Sequence, residues 1–408
     1  MTSAIQSLIT IVLFIVMLGG LVLIHELGHF ITARWAKVRV LEFGIGFPPR
    51  ARVIGRGKPP KYDADRPVPA PPALPEGMEP GSPEAEVFLR SAAETEEASR
   101  GTLYSLNWLP IGGFVKMEGE DGDDATDPHS FSRASLPVRM GILIAGVTMN
   151  LLLAFVIFTG IALVGEPALG VKIGLVVPGS PAAEVGLATG DTLVSINGTV
   201  YSALPGPQDP VADLRALAGQ TVTLGIIHAN GTPEDIVVTL RVPATPQQGA
   251  LGIGKLSATQ VGTVSYSPAE AVAVGARRTV DAFGMILAGL ANLGHSIITN
   301  PTVAPPASGP VGIAAQLGTV LWDFGPIYVL YMAALLSANL ALVNILPFPP
   351  LDGGRMLVIL LKSIPRFGKR ISLRAEQLTY AVGFVALFTF LIWITVFDVA
   401  RQLGGPTP

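Results

Sequence analysis

Four long apolar stretches punctuate the chain. Between residues 5 and 24 only Gln6, Ser7 and Thr10 interrupt the apolar positions. A helix rises about 1.5 Å per residue, so a run of this length crosses the hydrocarbon core of a bilayer, which is about 30 Å thick. Runs of similar length lie at 141–164, 327–346 and 378–397. The pattern predicts four transmembrane helices.

Two apolar segments need a separate interpretation. The first run has no basic segment before it and no small-x-small cleavage pattern after it, so we expect a retained span and not a cleaved signal peptide. Residues 282–298 are also apolar, but Asn292 and His295 interrupt them, and Arg277 and Arg278 precede them at helical spacing. This segment is predicted to be an amphipathic or interfacial helix.

The distribution of Lys and Arg predicts the orientation in the membrane. The connection 25–140 carries fourteen of these residues and 347–377 carries six, whereas the much longer connection 165–326 carries only six. Basic residues near span ends accumulate on the cytoplasmic side. The first and third connections are therefore predicted to be cytoplasmic, and the middle connection and both termini extracytoplasmic, in the plasma (inner) membrane.

The composition excludes several classes of protein. Half of the residues are apolar and only 14% are charged, which is not typical of a soluble globular protein. The absence of cysteine excludes disulfides, thiolate metal sites and a cysteine nucleophile. With a formal net charge of −3 there is no basic surplus, so we expect no nucleic acid partner.

An HExxH motif, His25-Glu26-Leu27-Gly28-His29, closes the first apolar run. Residues four apart share one face of a helix, so both imidazoles can reach a single Zn²⁺, with the Glu26 carboxylate beside its open position. Ionisable side chains at the end of a membrane span are costly and seldom occur without a role. A chance match at a helix end with snorkelling polar groups is the structural alternative.

Catalytic zinc takes three protein ligands, so a third ligand has to be found. His228 and His295 lie in the connection predicted to be outside, and His129 lies beside the acidic stretch 118–127. Asp352 follows the inner end of the third span, which runs in the same direction as the first. Three prolines in the preceding residues prevent a helix there, and unwound backbone at membrane depth is tolerated where it lines a protein cavity. Asp352 is therefore the favoured third ligand.

These segments carry a resemblance to a known family. The chain resembles the site-2 proteases, which are intramembrane zinc metalloproteases, and within them the bacterial regulator-of-sigma-E protease (RseP-like) branch. The matching segments, in family order, are HELGH at 25–29, GIGF at 44–47, LPIGGFVKM at 109–117, SPAA at 180–183 with ING at 196–198, SGPV at 308–311 and NILPFPPLDGG at 344–354.

The resemblance implies roles for particular residues. His25, His29 and Asp352 would hold Zn²⁺. Glu26 would act as the general base that takes a proton from water and later delivers it to the leaving amine. The residues implied to contact the substrate are Asn344, Asn339 and Pro347. For the two asparagines, ordinary hydrogen bonds between helices are the alternative.

The resemblance also implies the substrates and how they bind. They would be single-pass transmembrane proteins, such as an anti-sigma factor after a first extracytoplasmic cut, or remnant signal peptides. A helical span must unwind before cleavage, and adding it as a strand to a sheet edge would replace its lost hydrogen bonds. Residues 38–47 and 102–117 suit such a membrane-associated β-hairpin.

The expected fold class is a polytopic α-helical membrane protein with four transmembrane helices, a membrane-associated β-hairpin and an inserted extracytoplasmic PDZ domain (α+β). The best-known relatives carry two PDZ domains, but this chain has room for one, which would bind a peptide ligand. The predicted regions are helix 1 with HExxH, 1–34; the hairpin region, 35–139, with a disordered Pro/Glu-rich insertion at about 50–102; helix 2, 140–165; the PDZ domain, 168–242; an extracytoplasmic linker with an amphipathic helix, 243–324; helix 3, 325–354; a cytoplasmic loop, 355–377; and helix 4, 378–400.

Two other functions stay open from the sequence. A catalytically silent membrane scaffold that presents a PDZ domain is the main alternative, and the intact HExxH motif and Asp352 argue against it. A transporter would also contain buried polar groups and broken helices, but the chain shows no inverted repeat.

Overall fold

The computed structural model describes residues 3–57, 101–120, 127–206, 208–243, 248–299, 305, 307–364 and 372–403. It contains two compact units. The first comprises 1–154, 286–324 and 335–408, and the second comprises 155–285 and 325–334. Most of the predicted Pro/Glu-rich insertion, 58–100, lies outside the described residues.

The described residues are mostly helical. In chain order the α-helices are α1 (Ser3–Trp35), α2 (Leu136–Val164), α3 (Pro181–Glu184), α4 (Pro210–Ala216), α5 (Pro268–Thr299), α6 (Pro310–Thr319), α7 (Pro326–Ile345), α8 (Asp352–Ser363) and α9 (Leu373–Gln402). A 3-10 turn lies at Phe131–Arg133 and a π-helix at Val320–Phe324.

Five of the described helices are long and apolar enough to cross a membrane: Ala4–Trp35, Leu136–Val164, Pro268–Thr299, Pro326–Ile345 and Leu373–Gln402. Four of them coincide with the predicted spans, in keeping with a polytopic membrane protein. The fifth is α5, which contains the segment predicted to be amphipathic or interfacial. It begins at Pro268, well before residue 282, so the sequence pattern identified only its second half. The count of four spans stays a prediction.

Small residues explain how the first half of α5 packs. Its buried residues are Ala271, Gly275, Thr279 and Ala282, which recur every three or four positions and so lie on one face. A Cβ on Gly275 would lie 2.1 Å from the hydroxyl oxygen of Thr159 in α2. The absence of a side chain at this position therefore lets the two helices approach closely within the second unit.

The sheet of the first unit is wider than the predicted hairpin. It is built from β1 (Val40–Arg56) and β2 (Leu103–Met117), and each strand doubles back on itself. Gly44 pairs with both Ser105 and Phe114, and Leu106 pairs with both Ile45 and Arg52. The order across the sheet is therefore 50–56, 103–107, 40–45 and 113–117.

Two features of the sequence explain this reversal. The segment Pro48-Pro49 turns β1, and Gly46 adopts a φ of +82° next to it, where a Cβ would lie 2.4 Å from the carbonyl oxygen of Leu109. Strand β1 then continues to Arg56. The residues from about 50 to 56 are thus strand, although the sequence analysis assigned them to the disordered insertion.

The second unit is built around an antiparallel sheet. Its strands are β3 (Glu166–Lys172), β5 (Thr192–Ile196), β6 (Thr199–Val200), β7 (Thr221–Ile227), β8 (Pro233–Thr239) and β10 (Ser257–Val264), and a separate pair is formed by β4 (Leu175–Val176) and β9 (Ile253–Gly254). The order across the sheet is β10-β3-β5-β7-β8, and β6 pairs with β5. Ser180 caps α3 and Asp209 caps α4.

This sheet extends beyond the region predicted to be a PDZ domain. Strand β10 pairs with β3, although residues 243–324 were assigned to a linker. A pattern confined to 168–242 could not reveal it, because this pairing joins residues about 90 positions apart. The assignment of the sheet to the PDZ class stays a prediction.

Charged groups organise the second unit at two places. Glu166 is fully buried and accepts hydrogen bonds from Arg278, one of them 2.8 Å long. His228 lies 2.9 Å from Glu234 through Nε2 and 3.2 Å from Asp191 through Nδ1. The hydrogen bond to Glu234 is the main reason that the pKa of His228 is raised above its ordinary value.

Candidate metal centre

The two histidines of the HExxH motif lie one turn apart on α1, as their spacing predicts. Helix α1 is continuous from Ser3 to Trp35, so the apolar run and the motif share one helix. Both imidazoles are buried, and the Nε2 atoms of His25 and His29 lie 3.1 Å apart. Gly28 lies between them, where a Cβ would come within 2.4 Å of the Ala145 carbonyl oxygen, so α1 and α2 pack closely at this point.

Asp352 lies next to the two histidines in the structure, although it follows His25 by 327 positions in the sequence. It begins α8, immediately after the irregular segment 346–351. Its Oδ2 atom lies 2.9 Å from Nε2 of His25 and 3.3 Å from Nε2 of His29. A Cβ on Gly353 would lie 2.2 Å from the carbonyl oxygen of Ile345, so the glycines that follow Asp352 allow α8 to pack against the end of α7.

These three side chains fit a zinc ion. Their ligand atoms all lie within 4.8 Å of one another, and the closest distances are 2.9–3.3 Å. Ligand atoms about 2.1 Å from a tetrahedral zinc are about 3.4 Å apart, so the observed spacing is close to that of three corners of a tetrahedron.

Contacts from α2 orient both imidazoles. Nδ1 of His29 lies 2.8 Å from the carbonyl oxygen of Ile142, which leaves Nε2 free for a metal. Nδ1 of His25 lies 3.3 Å from the side-chain amide of fully buried Asn150. The Oδ1 atom of Asn150 has no partner among the described residues, and a half-turn of the amide would direct it at the Nδ1 proton of a metal-binding His25.

Glu26 lies beside these ligands and is held by the sheet. One of its carboxylate oxygens accepts a hydrogen bond of 3.1 Å from the backbone N–H of Val115. Both residues line a cavity of about 400 Å³, together with the three ligand side chains. The further residues that line this cavity are Val22, Phe114, Met117, Glu120, Leu143, Leu340, Asn344, Pro350, Leu351 and Arg355.

The other predicted site residues divide into two groups. Asn344 lines the cavity, with its Nδ2 atom 3.5 Å from Nε2 of His25. Asn339 and Pro347 are not among the described residues that line it, and Pro347 is exposed. His129 is not part of this site and lies next to Asp127, within the acidic surroundings that the sequence predicts for it.

Sequence reasoning did not predict roles for four residues near this centre. Gly146 and Asn150 lie one turn apart on α2, and their signal was a small and a polar residue at helical spacing inside an apolar run. Glu120 was grouped with the acidic stretch 118–127. Arg355 stands three residues after Asp352, and an arginine one turn from a predicted ligand was the signal for it.

Comparison with known proteins identifies the family. The model of peptidase family M50 matches residues 13–57 and 93–390. The chain belongs to peptidase family M50. A protein of Clostridium acetobutylicum named "Putative zinc metalloprotease" is 29% identical over 98% of this chain and 100% of its own length. The regulator of sigma-W protease RasP of Bacillus subtilis is 28% identical over 96% of this chain and 98% of its own length.

Membership of family M50, the site-2 proteases, confirms three of the predictions. The chain is an intramembrane metalloprotease of the site-2 type, its cofactor is zinc, and it is a multi-pass inner membrane protein. The donor set of two buried imidazoles and one half-buried carboxylate agrees with the zinc dependence of the family.

Proposed function

We propose that this chain cleaves single-pass transmembrane proteins within their spans, with zinc held by His25, His29 and Asp352. The observation that carries the proposal is the convergence of these three donor atoms, within 4.8 Å of one another, on a cavity that also contains Glu26. A bound Zn²⁺ would act as a Lewis acid toward the scissile carbonyl and lower the pKa of water to about 7.

Glu26 is proposed as the general base. Its hydrogen bond from the Val115 N–H fixes the orientation of the carboxylate, because one oxygen is held by the rigid sheet. In that position the carboxylate takes the proton from the attacking water and returns it to the leaving amine nitrogen. Asn150 and the Ile142 carbonyl hold the two imidazoles in place during this transfer.

The sheet edge beside Glu26 is the proposed binding site for the unwound substrate. Phe114, Val115 and Met117 line the cavity, so main-chain groups of the segment 113–117 are within reach of a bound peptide. An added strand would replace the hydrogen bonds that the substrate loses when its helix unwinds. Asn344 is proposed to contact the same peptide from α7, since it lines the same cavity and its Nδ2 atom lies 3.5 Å from Nε2 of His25.

The proposed substrates are anti-sigma-like proteins that another protease has trimmed, with remnant signal peptides as secondary substrates. The name of the Bacillus subtilis relative, a regulator of sigma-W protease, supports this class. The sheet of the second unit is proposed to be a PDZ domain that binds a peptide or restricts access. The Lys and Arg distribution supports extracytoplasmic termini and an active site towards the cytoplasm.

The test is cleavage of a tagged single-span substrate by the full chain in detergent. We expect wild type and the exposed control Glu184→Gln to cleave it, whereas Glu26→Gln binds zinc and is inactive. A zinc chelator should abolish the wild-type activity. Cleavage by Glu26→Gln near the wild-type rate would remove Glu26 from its role, and a wild-type protein without zinc would favour the silent scaffold.

A further inference from the structure

One edge of the first unit's sheet, along the segment 113–117, has no neighbouring strand among the described residues. The segment 113–117 pairs with 40–45, and among the described residues no strand pairs with its other edge. Along a strand, alternate N–H groups point to opposite edges. The N–H of Glu118 donates to the carbonyl oxygen of Arg39, on the β1 side, so the N–H groups of Val115 and Met117 point away from β1.

Each of these outward N–H groups donates a hydrogen bond to a carboxylate. The Val115 N–H donates to Oε2 of Glu26 at 3.1 Å, and the Met117 N–H donates to Oε2 of Glu120 at 3.2 Å. The other oxygen of Glu120 accepts a hydrogen bond from the guanidinium of Arg355, in the first turn of α8. All five residues line the cavity that contains the candidate metal centre.

An added strand needs a donor of this kind. Its carbonyl oxygens would accept hydrogen bonds from outward N–H groups of the edge, and because the Val115 N–H holds Glu26, the Met117 N–H is the donor that a bound peptide would take. The Glu120 carboxylate therefore stands where a backbone carbonyl of the bound peptide would stand. An unpaired edge would otherwise leave a buried donor unsatisfied, since Met117 is buried.

We infer that Glu120, held by Arg355, is an internal cap on the edge that receives the substrate, and that a substrate must displace it to bind. The inference rests on the proposed function, because it assumes that the substrate binds as an added strand. The cap makes binding selective: only a segment that offers its main-chain carbonyls, and has therefore unwound, can replace the carboxylate at the Met117 N–H.

Displacement has a measurable effect on substrate affinity. A hydrogen bond to a charged acceptor is roughly twice as strong as one to a neutral carbonyl, so exchanging one for the other weakens apparent binding. Removing the cap should lower KM by about tenfold and leave kcat within about twofold, because the cap competes with bound substrate in the ground state and the transition state alike.

The test uses paired substitutions so that no single charge is left behind. The double variant Glu120→Ala/Arg355→Met removes the cap and its partner together. The matched control Glu42→Ala/Arg50→Met removes a carboxylate–guanidinium pair within strand β1, whose Nη2–Oε2 distance is 2.7 Å and which does not line the cavity. KM, kcat, zinc content and hydrogen exchange of the segment 113–117 are measured for both, in the full chain.

The outcomes separate the cap from a purely structural role. We expect normal zinc content, a lower KM and faster exchange at Met117 in the first variant, with the control like wild type. An unchanged or higher KM, or exchange at Met117 as slow as in wild type, would overturn the cap. Loss of zinc would show that the pair only anchors α8 near Asp352. If the zinc-loaded wild type cleaves nothing, the proposed function fails, while the exchange measurement still tests whether Glu120 covers the edge.

Discussion

Gly146 is the position at which the smallest substitution should do the most damage to the metal centre. It lies on α2 opposite the HExxH turn of α1. A Cβ built on it would lie 2.4 Å from Nε2 of His29, 2.6 Å from its Cε1 atom and 2.8 Å from Cε1 of His25. The added methyl group of Gly146→Ala would therefore press on both imidazoles, and on the very nitrogen of His29 that faces Asp352.

The distances give the size of the effect. Ordinary contacts of a Cβ atom are 3.4–4 Å, so the His29 ring must move by about 1 Å. Zinc–ligand distances vary by only about 0.2 Å, and the ring is held by its 2.8 Å contact with the Ile142 carbonyl oxygen. Disturbing a residue that merely supports a ligand costs about 10- to 100-fold in metal affinity. Displacing the ligand itself should cost at least about 100-fold, or about 2.7 kcal/mol.

The assay is a zinc competition titration on the purified full chain, with Gly141→Ala as the matched control. Gly141 is on the same helix, and a Cβ there would come within 4 Å of no heavy atom of the described residues outside its own stretch of helix. We expect the control to bind zinc like wild type, and Gly146→Ala to lose zinc at chelator concentrations at least about 100-fold lower. Cleavage of the single-span substrate should fall in parallel.

One result would refute this reasoning. If Gly146→Ala retained wild-type zinc affinity while remaining folded, either α2 would be able to move away from α1 by about 1 Å or the His29 nitrogen would not be a ligand. The second possibility would contradict the proposed metal centre directly. Equal loss of zinc in Gly141→Ala would instead attribute the effect to a general disturbance of α2.

Two further predictions concern other contacts. Asn150→Leu removes the buried amide beside Nδ1 of His25. We expect its zinc affinity, measured by the same titration, to fall about 10- to 100-fold, and the zinc affinity of Asn150→Asp, which retains an acceptor, to fall less. The raised pKa of His228 means that its protonated form stabilises the fold below the unfolded pKa of about 6.5, and that this contribution is lost as the pH rises through the higher folded pKa. The difference in Tm between wild type and His228→Gln should therefore be largest at acidic pH and shrink as the pH rises, and a pH-independent difference would contradict this.

Several features of this protein follow from the sequence because they depend on neighbouring residues. The apolar runs set the positions of α1, α2, α7 and α9, since a helix satisfies its own backbone groups and needs only local hydrophobicity to enter a membrane. The spacing of His25 and His29 places them on one helical face whatever the rest of the chain does. Prolines before Asp352 predicted the irregular segment 346–351 for the same local reason.

Other features depend on contacts between distant residues, and only the tertiary structure decided them. Strands β1 and β2 interleave across four segments, β10 joins the second sheet, and Glu120 meets Arg355 across 235 positions of sequence. Hydropathy and periodicity describe one segment at a time, so they carry no information on which edge or which carboxylate another segment will meet. Asp352 was found by matching depths of two spans, but its distances to the imidazoles, and the roles of Gly146 and Asn150, depend on how closely the helices pack.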